Sequence, residues 1–95
     1  MKTHRTACLA IVLSDIPTKV LERDPYRKIL RIQNQEATAT SYIRYGGDGV
    51  QRSYLRYDPS MNELLDQYAP TEEIWAYSNI PGAILTVMMV SDRDA

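Results

Sequence analysis

His4 and Cys8 are the only histidine and the only cysteine in this chain of 95 residues. A nucleophile–histidine pair would have to use His4, in a stretch expected to fray. A catalytic imidazole needs a locked rotamer and an orienting partner. One residue of each type also excludes the usual zinc clusters and any intramolecular disulfide. Carboxylate pairs exist, Glu72 with Glu73 and Asp92 with Asp94. Neighbouring strand residues point to opposite faces, so Glu72 and Glu73 do not converge on one substrate atom, and they read as solvated charge near a turn. Asp92-Arg93-Asp94 lacks the glycine-bearing loop and distal glutamate of a calcium site. Gly46-Gly47-Asp48-Gly49 offers the glycines of a phosphate loop without the Lys-Ser/Thr that must follow. Val50-Gln51-Arg52-Ser53 comes next in strand rhythm, so the cluster reads as a hairpin turn with positive φ angles. No catalytic, cofactor-binding or metal-ligating set is expected, and the chain is read as a non-enzyme.

The richer chemistry flanks those glycines. On the incoming arm Tyr42 and Arg44 share one strand face, with Ile43 and Tyr45 on the other. On the outgoing arm Arg52, Tyr54 and Arg56 oppose Ser53, Leu55 and Tyr57. Period-two alternation makes one face apolar and aromatic, hence core, and the other a Tyr/Arg surface. Tyrosine and arginine dominate protein–protein hot spots. The same surface could also be an exposed sheet face with cross-strand cation–π contacts, or a stacking platform for single-stranded nucleic acid. Trp75 with Tyr77 is the best candidate for a sugar-binding platform, or for further interface. The expected contact set is Tyr42, Arg44, Arg52, Tyr54, Arg56, Trp75 and Tyr77.

The elements that must hold these residues are short. Seven tyrosines, one tryptophan and no phenylalanine sit in apolar stretches broken by turn signals, which favours strands over helices. Strands are expected over residues 7–13, 18–21, 28–34, 37–45, 50–57, 74–78 and 84–90. Residues 62–67 are open between a helical turn capped by Ser60 with Glu63 three residues on, and a short crossing strand. Residues 91–95 are expected to be a solvated tail. The core is expected at Leu30, Ile32, Ile43, Leu55, Ile74, Leu85 and Val87. This pattern predicts an all-β fold, an antiparallel β-sandwich, jelly-roll-like, of about seven to eight short strands in one domain over residues 1–95. Residues 7–13 and 84–90 are apolar on both faces, more than a small two-layer domain covers easily. They are expected to pair with each other, to meet a partner, or to be hidden by residues 62–67.

Composition narrows the partners. Apolar residues at 44% and charged residues at 24% are ordinary for a globular chain and argue against disorder. Eleven Lys and Arg against twelve Asp and Glu give a net charge of -1, so binding to nucleic acid in bulk is not expected. The longest unbroken apolar run, residues 7–13, is far short of the roughly 20 residues of a membrane span. It follows Lys2 and Arg5, but Ser14-Asp15-Ile16-Pro17 is no small-x-small cleavage site, so the run reads as a strand rather than a signal peptide. Synthesis and use in the cytoplasm, whole from Met1, are expected.

Three motifs, in order, resemble a known family. Asp24-Pro25-Tyr26-Arg27-Lys28-Ile29-Leu30-Arg31-Ile32-Gln33-Asn34 resembles the Asn-Pro-x-Arg-x-x-Leu-x-Ile-Gln-Asn opening of small β-sandwich virion proteins of tailed bacteriophages. Tyr42-Ile43-Arg44-Tyr45-Gly46 is similar to that family's aromatic strand running into a glycine. The stretch from Tyr68-Ala69-Pro70-Thr71 through Glu72-Glu73-Ile74-Trp75-Ala76-Tyr77 is similar to its Tyr-x-x-x-x-x-Ile-Tyr-Ala strand entry. Where the family carries Leu-x-Pro-Gly, this chain has Tyr57-Asp58-Pro59-Ser60, keeping the proline and losing the glycine. The resemblance implies architecture and location in the virion, on the capsid surface, without a catalytic site. It points to a capsid decoration (cement) protein whose partners are the major capsid protein or other virion proteins, with a homotrimer favoured. A neck, tail or fibre-base component is the alternative, and a carbohydrate-binding module a third. From the residues themselves, Pro25 fixes a turn, Arg27 can reach carbonyls or carboxylates at the sandwich edge, and Asn34 can close its strand by bonding the following turn.

Overall fold

The chain is a long antiparallel ribbon rolled into two facing sheets. The computed structural model describes residues 2–46, 54–67 and 69–94. Its strands are β1 (Lys2–Val12), β2 (Thr18–Leu21), β3 (Arg27–Asn34), β4 (Ser41–Tyr45), β5 (Leu55–Tyr57), β6 (Asn62–Leu65), β7 (Ile74–Ser78) and β8 (Ile84–Asp94), with no helix among the described residues. Nested pairs β1 with β8, β2 with β7, β3 with β6 and β4 with β5 form the ribbon. Rolling it up gives sheet orders β1-β8-β3-β6 and β2-β7-β4-β5, the double-sheet jelly-roll arrangement of an all-β antiparallel sandwich.

Alternation builds the core. Leu30, Ile32 and Asn34 of β3 point inward with Leu85 and Val87 of β8, meeting Ile43, Ile74 and Ala76 from the other sheet. Six of the seven expected core residues are buried. Leu55 is the correction: it lies opposite Ile43 on the core-facing side, yet is 53% exposed. The strand β5 has only three residues and is the outermost of its sheet, so among the described residues no strand flanks Leu55 on the far side.

Two further expectations are corrected, and one open alternative is closed. Residues 91–94 are not a solvated tail, because β1 pairs with β8 without a break from Lys2↔Asp94 to Val12↔Ile84. Ser91 is buried and bonds the carboxylate of Asp24. His4 lies opposite Asp92 within that ladder rather than in a frayed end. Residues 62–65 form a strand on the far side of β3, in the same sheet as β1 and β8, so they do not fold over them.

Two side chains tie the loops to this frame. The buried Arg27 donates from Nη1 to the carbonyls of Pro70 (2.7 Å) and Glu72 (3.1 Å), and from Nη2 to that of Glu22 (3.0 Å). Burial pulls its pKa below the ordinary guanidinium value, opposed by the nearby charges of Asp24 and Glu72. Asn34, fully buried, donates from Nδ2 to the carbonyls of Ala39 (2.8 Å), Tyr57 (3.1 Å) and Asp58 (3.2 Å), while its Oδ1 accepts from the Glu36 N–H (3.2 Å).

Gly46, the first glycine of the expected hairpin turn, has φ +96°; the rest of that cluster lies outside the described residues. Ser60 has φ 65°, the left-handed region where a side chain is disfavoured. It stands where the resembled family has glycine. Ser60→Gly removes that strain while keeping the bonds of Ser60 N–H to the Glu36 carbonyl and of Met61 N–H to the Asp58 carbonyl. A gain of about 1 kcal/mol is expected, read as a melting temperature higher by roughly 4–8 °C.

Candidate functional site

The second sheet presents the Tyr/Arg surface as two rows. Lys19 of β2, Trp75 of β7 and Arg44 of β4 lie side by side in register, and the next row is Tyr77, Tyr42 and Arg56. Period-two alternation puts Ile43, Ala76 and Ile74 on the opposite, core side of the same strands. Six of the seven expected contact residues, Tyr42, Arg44, Tyr54, Arg56, Trp75 and Tyr77, therefore gather on one face; Arg52 lies outside the described residues. Lys19 belongs to the same face and was not expected there, because a four-residue strand carries too little alternation to orient it.

Aromatic stacking organises the rows. The Tyr42 and Tyr77 rings stack with centroids 4.7 Å apart and planes 15° from parallel. Tyr54 meets Tyr77 edge-on at 5.1 Å and 71°. The Arg44 guanidinium sits 5.3 Å from the Tyr54 centroid and 5.8 Å from that of Trp75. Arg56 pairs with Asp58 at 2.6 Å, and Lys19 with Glu22 at 3.1 Å and Glu73 at 3.8 Å.

Arg44 is on the outer side, as alternation requires, but it is not solvent-facing: it is only 8% exposed beneath the rings. Its Nε and Nη1, and the indole Nε1 of Trp75, are buried and have no hydrogen-bond partner among the described residues. Contact with a desolvated ring returns about 2 kcal/mol, whereas taking a guanidinium out of water costs several. Among the described residues this layer is short of acceptors.

The first sheet presents a different outer face. Cys8, Ala10 and Val12 of β1 align with Met88, Thr86 and Ile84 of β8, and Ile29 of β3 lies beside Val90. Cys8, a free thiol, is exposed, and Val12 is 70% exposed. β8 thus lies between β1 and β3, β1 forms the edge of the sheet, and the two terminal strands share an apolar outer surface. Composition did signal this excess: both segments are apolar at every parity.

Between the sheets, the Tyr57 hydroxyl donates to Glu63 Oε1 at 3.0 Å and lies 3.2 Å from the Tyr45 hydroxyl, linking β4 and β5 to β6. Burial raises the pKa of both phenols, and that of Tyr57 is raised further by its bond to Tyr45. The neutral phenol is favoured in the folded chain, so this stability is fully present below the ordinary tyrosine pKa of 10.0 and is lost as pH rises above it. Denaturant titrations across that range are expected to show a shallower alkaline loss of stability in Tyr57→Phe than in the parent. At neutral pH the variant should be weaker by about 1 kcal/mol for the missing hydrogen bond.

A depression of about 300 Å³ is lined by Arg23, Gly46, Thr71, Glu72 and Glu73, a mixed-charge set without histidine or cysteine. Among the described residues, no three His, Cys, Asp or Glu side chains are grouped to hold a metal ion. No family model matches the chain, and no curated protein matches it.

Proposed function

We propose that this chain is a structural protein of a tailed-bacteriophage virion, a capsid decoration (cement) protein that binds the assembled shell and strengthens it through protein contacts. The observation that carries the reading is the outer face of the β2-β7-β4-β5 sheet. It combines stacked tyrosines, a tryptophan and a buried arginine short of acceptors, the composition of a hot-spot surface. The order of motifs from Asp24 to Tyr77 supports the virion setting. The apolar outer face of β1 and β8 supports self-association, as a homotrimer whose repeated modest contacts add by avidity.

The mechanism is linkage. A protein that binds the assembled shell and not its free subunits stabilises the shell by its binding free energy. The chain itself performs no chemistry in this role, needs no cofactor, and is made in the host cytoplasm before joining the capsid surface. Its partners are the major capsid protein or other virion proteins.

Quantifying the chain against the major shell protein in purified particles tests this reading. Many copies in fixed ratio to the shell subunits are expected. A few copies confined to one vertex would make it a neck, tail or fibre-base component instead. Absence from particles, with retention of a monomer on a glycan column, would replace the reading with a carbohydrate-binding one.

A further inference from the structure

Three cations are described on the Tyr/Trp face, and two of them have carboxylates: Lys19 has Glu22 and Glu73, and Arg56 has Asp58. Arg44, the most buried of the three, has none among the described residues. Its register neighbour Trp75 buries an indole N–H that is equally unpartnered. Three donor atoms are thus collected on two paired residues with no acceptor. An unpaired buried charge is costly, and an arrangement of donors alone is complementary to an oxyanion.

We propose that Arg44 and Trp75 form the seat for a carboxylate supplied by an acidic side chain of the protein that docks on this face. A single carboxylate fits better than a phosphate chain, because Glu22, Glu73 and Asp58 stand around the face and repel a polyanion. The entrance is at Tyr54. Its ring lies over the guanidinium, and the residue precedes β5 rather than belonging to it, so the ring can swing aside without breaking a ladder bond. The carboxylate then takes the place of the Tyr54 ring face and supplies the missing acceptors of the layer. Only the source of the carboxylate rests on the decoration reading; the seat belongs to the free chain.

The experiment follows the single indole N–H resonance of the free, ¹⁵N-labelled protein, since Trp75 is the only tryptophan. Sodium acetate is titrated at constant ionic strength against sodium chloride, with sodium phosphate as the third arm. The indole peak is expected to move saturably with acetate and not with chloride. Arg44→Gln should abolish the movement while the rest of the spectrum stays dispersed, and Arg44→Lys, which keeps the charge, should weaken it. Tyr54→Ala, which uncovers the seat, should bind acetate more tightly than the parent. No movement in either the parent or Tyr54→Ala overturns the proposal, as does movement that survives in Arg44→Gln. A phosphate response equal to or larger than that of acetate overturns the carboxylate assignment. Each of these results is independent of copy number in particles, so failure here leaves the decoration reading standing, and the converse also holds.

Discussion

Replacing Asn34 with alanine should bring the fold close to its stability limit, at a cost of about 4 kcal/mol. The side chain is fully buried and bonds three carbonyls and one N–H, from Ala39, Tyr57, Asp58 and Glu36. These groups lie on the connection leaving β3 and on the end of β5, so one amide fastens the first sheet to the second. Truncation leaves buried carbonyls without donors, each costing about 1–3 kcal/mol, and opens a small cavity beside Leu85. A domain of this size holds only about 5–10 kcal/mol. The melting temperature should therefore fall by roughly 15–30 °C, at 4–8 °C for each kcal/mol. Calorimetry of the variant reads it directly. A fall of only a few degrees would mean that water or relaxation replaces the amide, and that the clamp between sheets is weak. Asn34→Asp is a sharper companion, since it keeps the acceptor for Glu36 N–H and turns the three donated bonds into repulsions.

The second large effect concerns binding. Tyr77 sits on an inner strand of its sheet, stacked on Tyr42 and edge-on to Tyr54. Tyr77→Ala should weaken association with the shell by about 2–4 kcal/mol, the cost typical of a central aromatic anchor and roughly 30- to 1000-fold in affinity. Its effect on folding should be smaller, because the ring lies on the outer face and its stacking is worth about 0.5–1.5 kcal/mol beyond area burial. Co-sedimentation of the variant with particles, beside its melting curve, separates the two. Full binding by the folded variant would remove Tyr77 from the contact. Arg44 is a poorer probe of contact than its place in the alternation implies, because Arg44→Glu would bury a carboxylate between two rings and disturb the layer itself.

Alternation and turn chemistry made much of this fold legible. Residues 18–21 and 74–78 are strands at the expected boundaries, and the facing of Tyr42, Arg44, Trp75 and Tyr77 follows from parity alone. The misses share one cause, which is pairing between residues far apart in the chain. Nothing in Ser91-Asp92-Arg93-Asp94 reads as strand until β1 is laid beside it. The choice left open at residues 62–65 falls to a strand for the same reason, because β3 offers an open side. Leu55 has the right parity and the wrong exposure, since edge position depends on strand order, which periodicity does not encode. The burial of Arg44 has the same origin: its covering rings arrive from positions 54 and 75. Arg27 and Asn34 were readable in kind, as side chains that bond backbone, but the carbonyls of Pro70, Glu72 and Tyr57 come from distant loops and strands.

The claim on which this reading turns is that the outer face of the β2-β7-β4-β5 sheet meets another protein in the virion. A reconstruction of purified particles in which this chain is traced tests it most directly. Tyr42, Trp75 and Tyr77 are expected to be covered by a neighbouring shell subunit, with an acidic side chain of that subunit beside Arg44. A traced chain whose Tyr/Trp face is bare to solvent in every copy would contradict it.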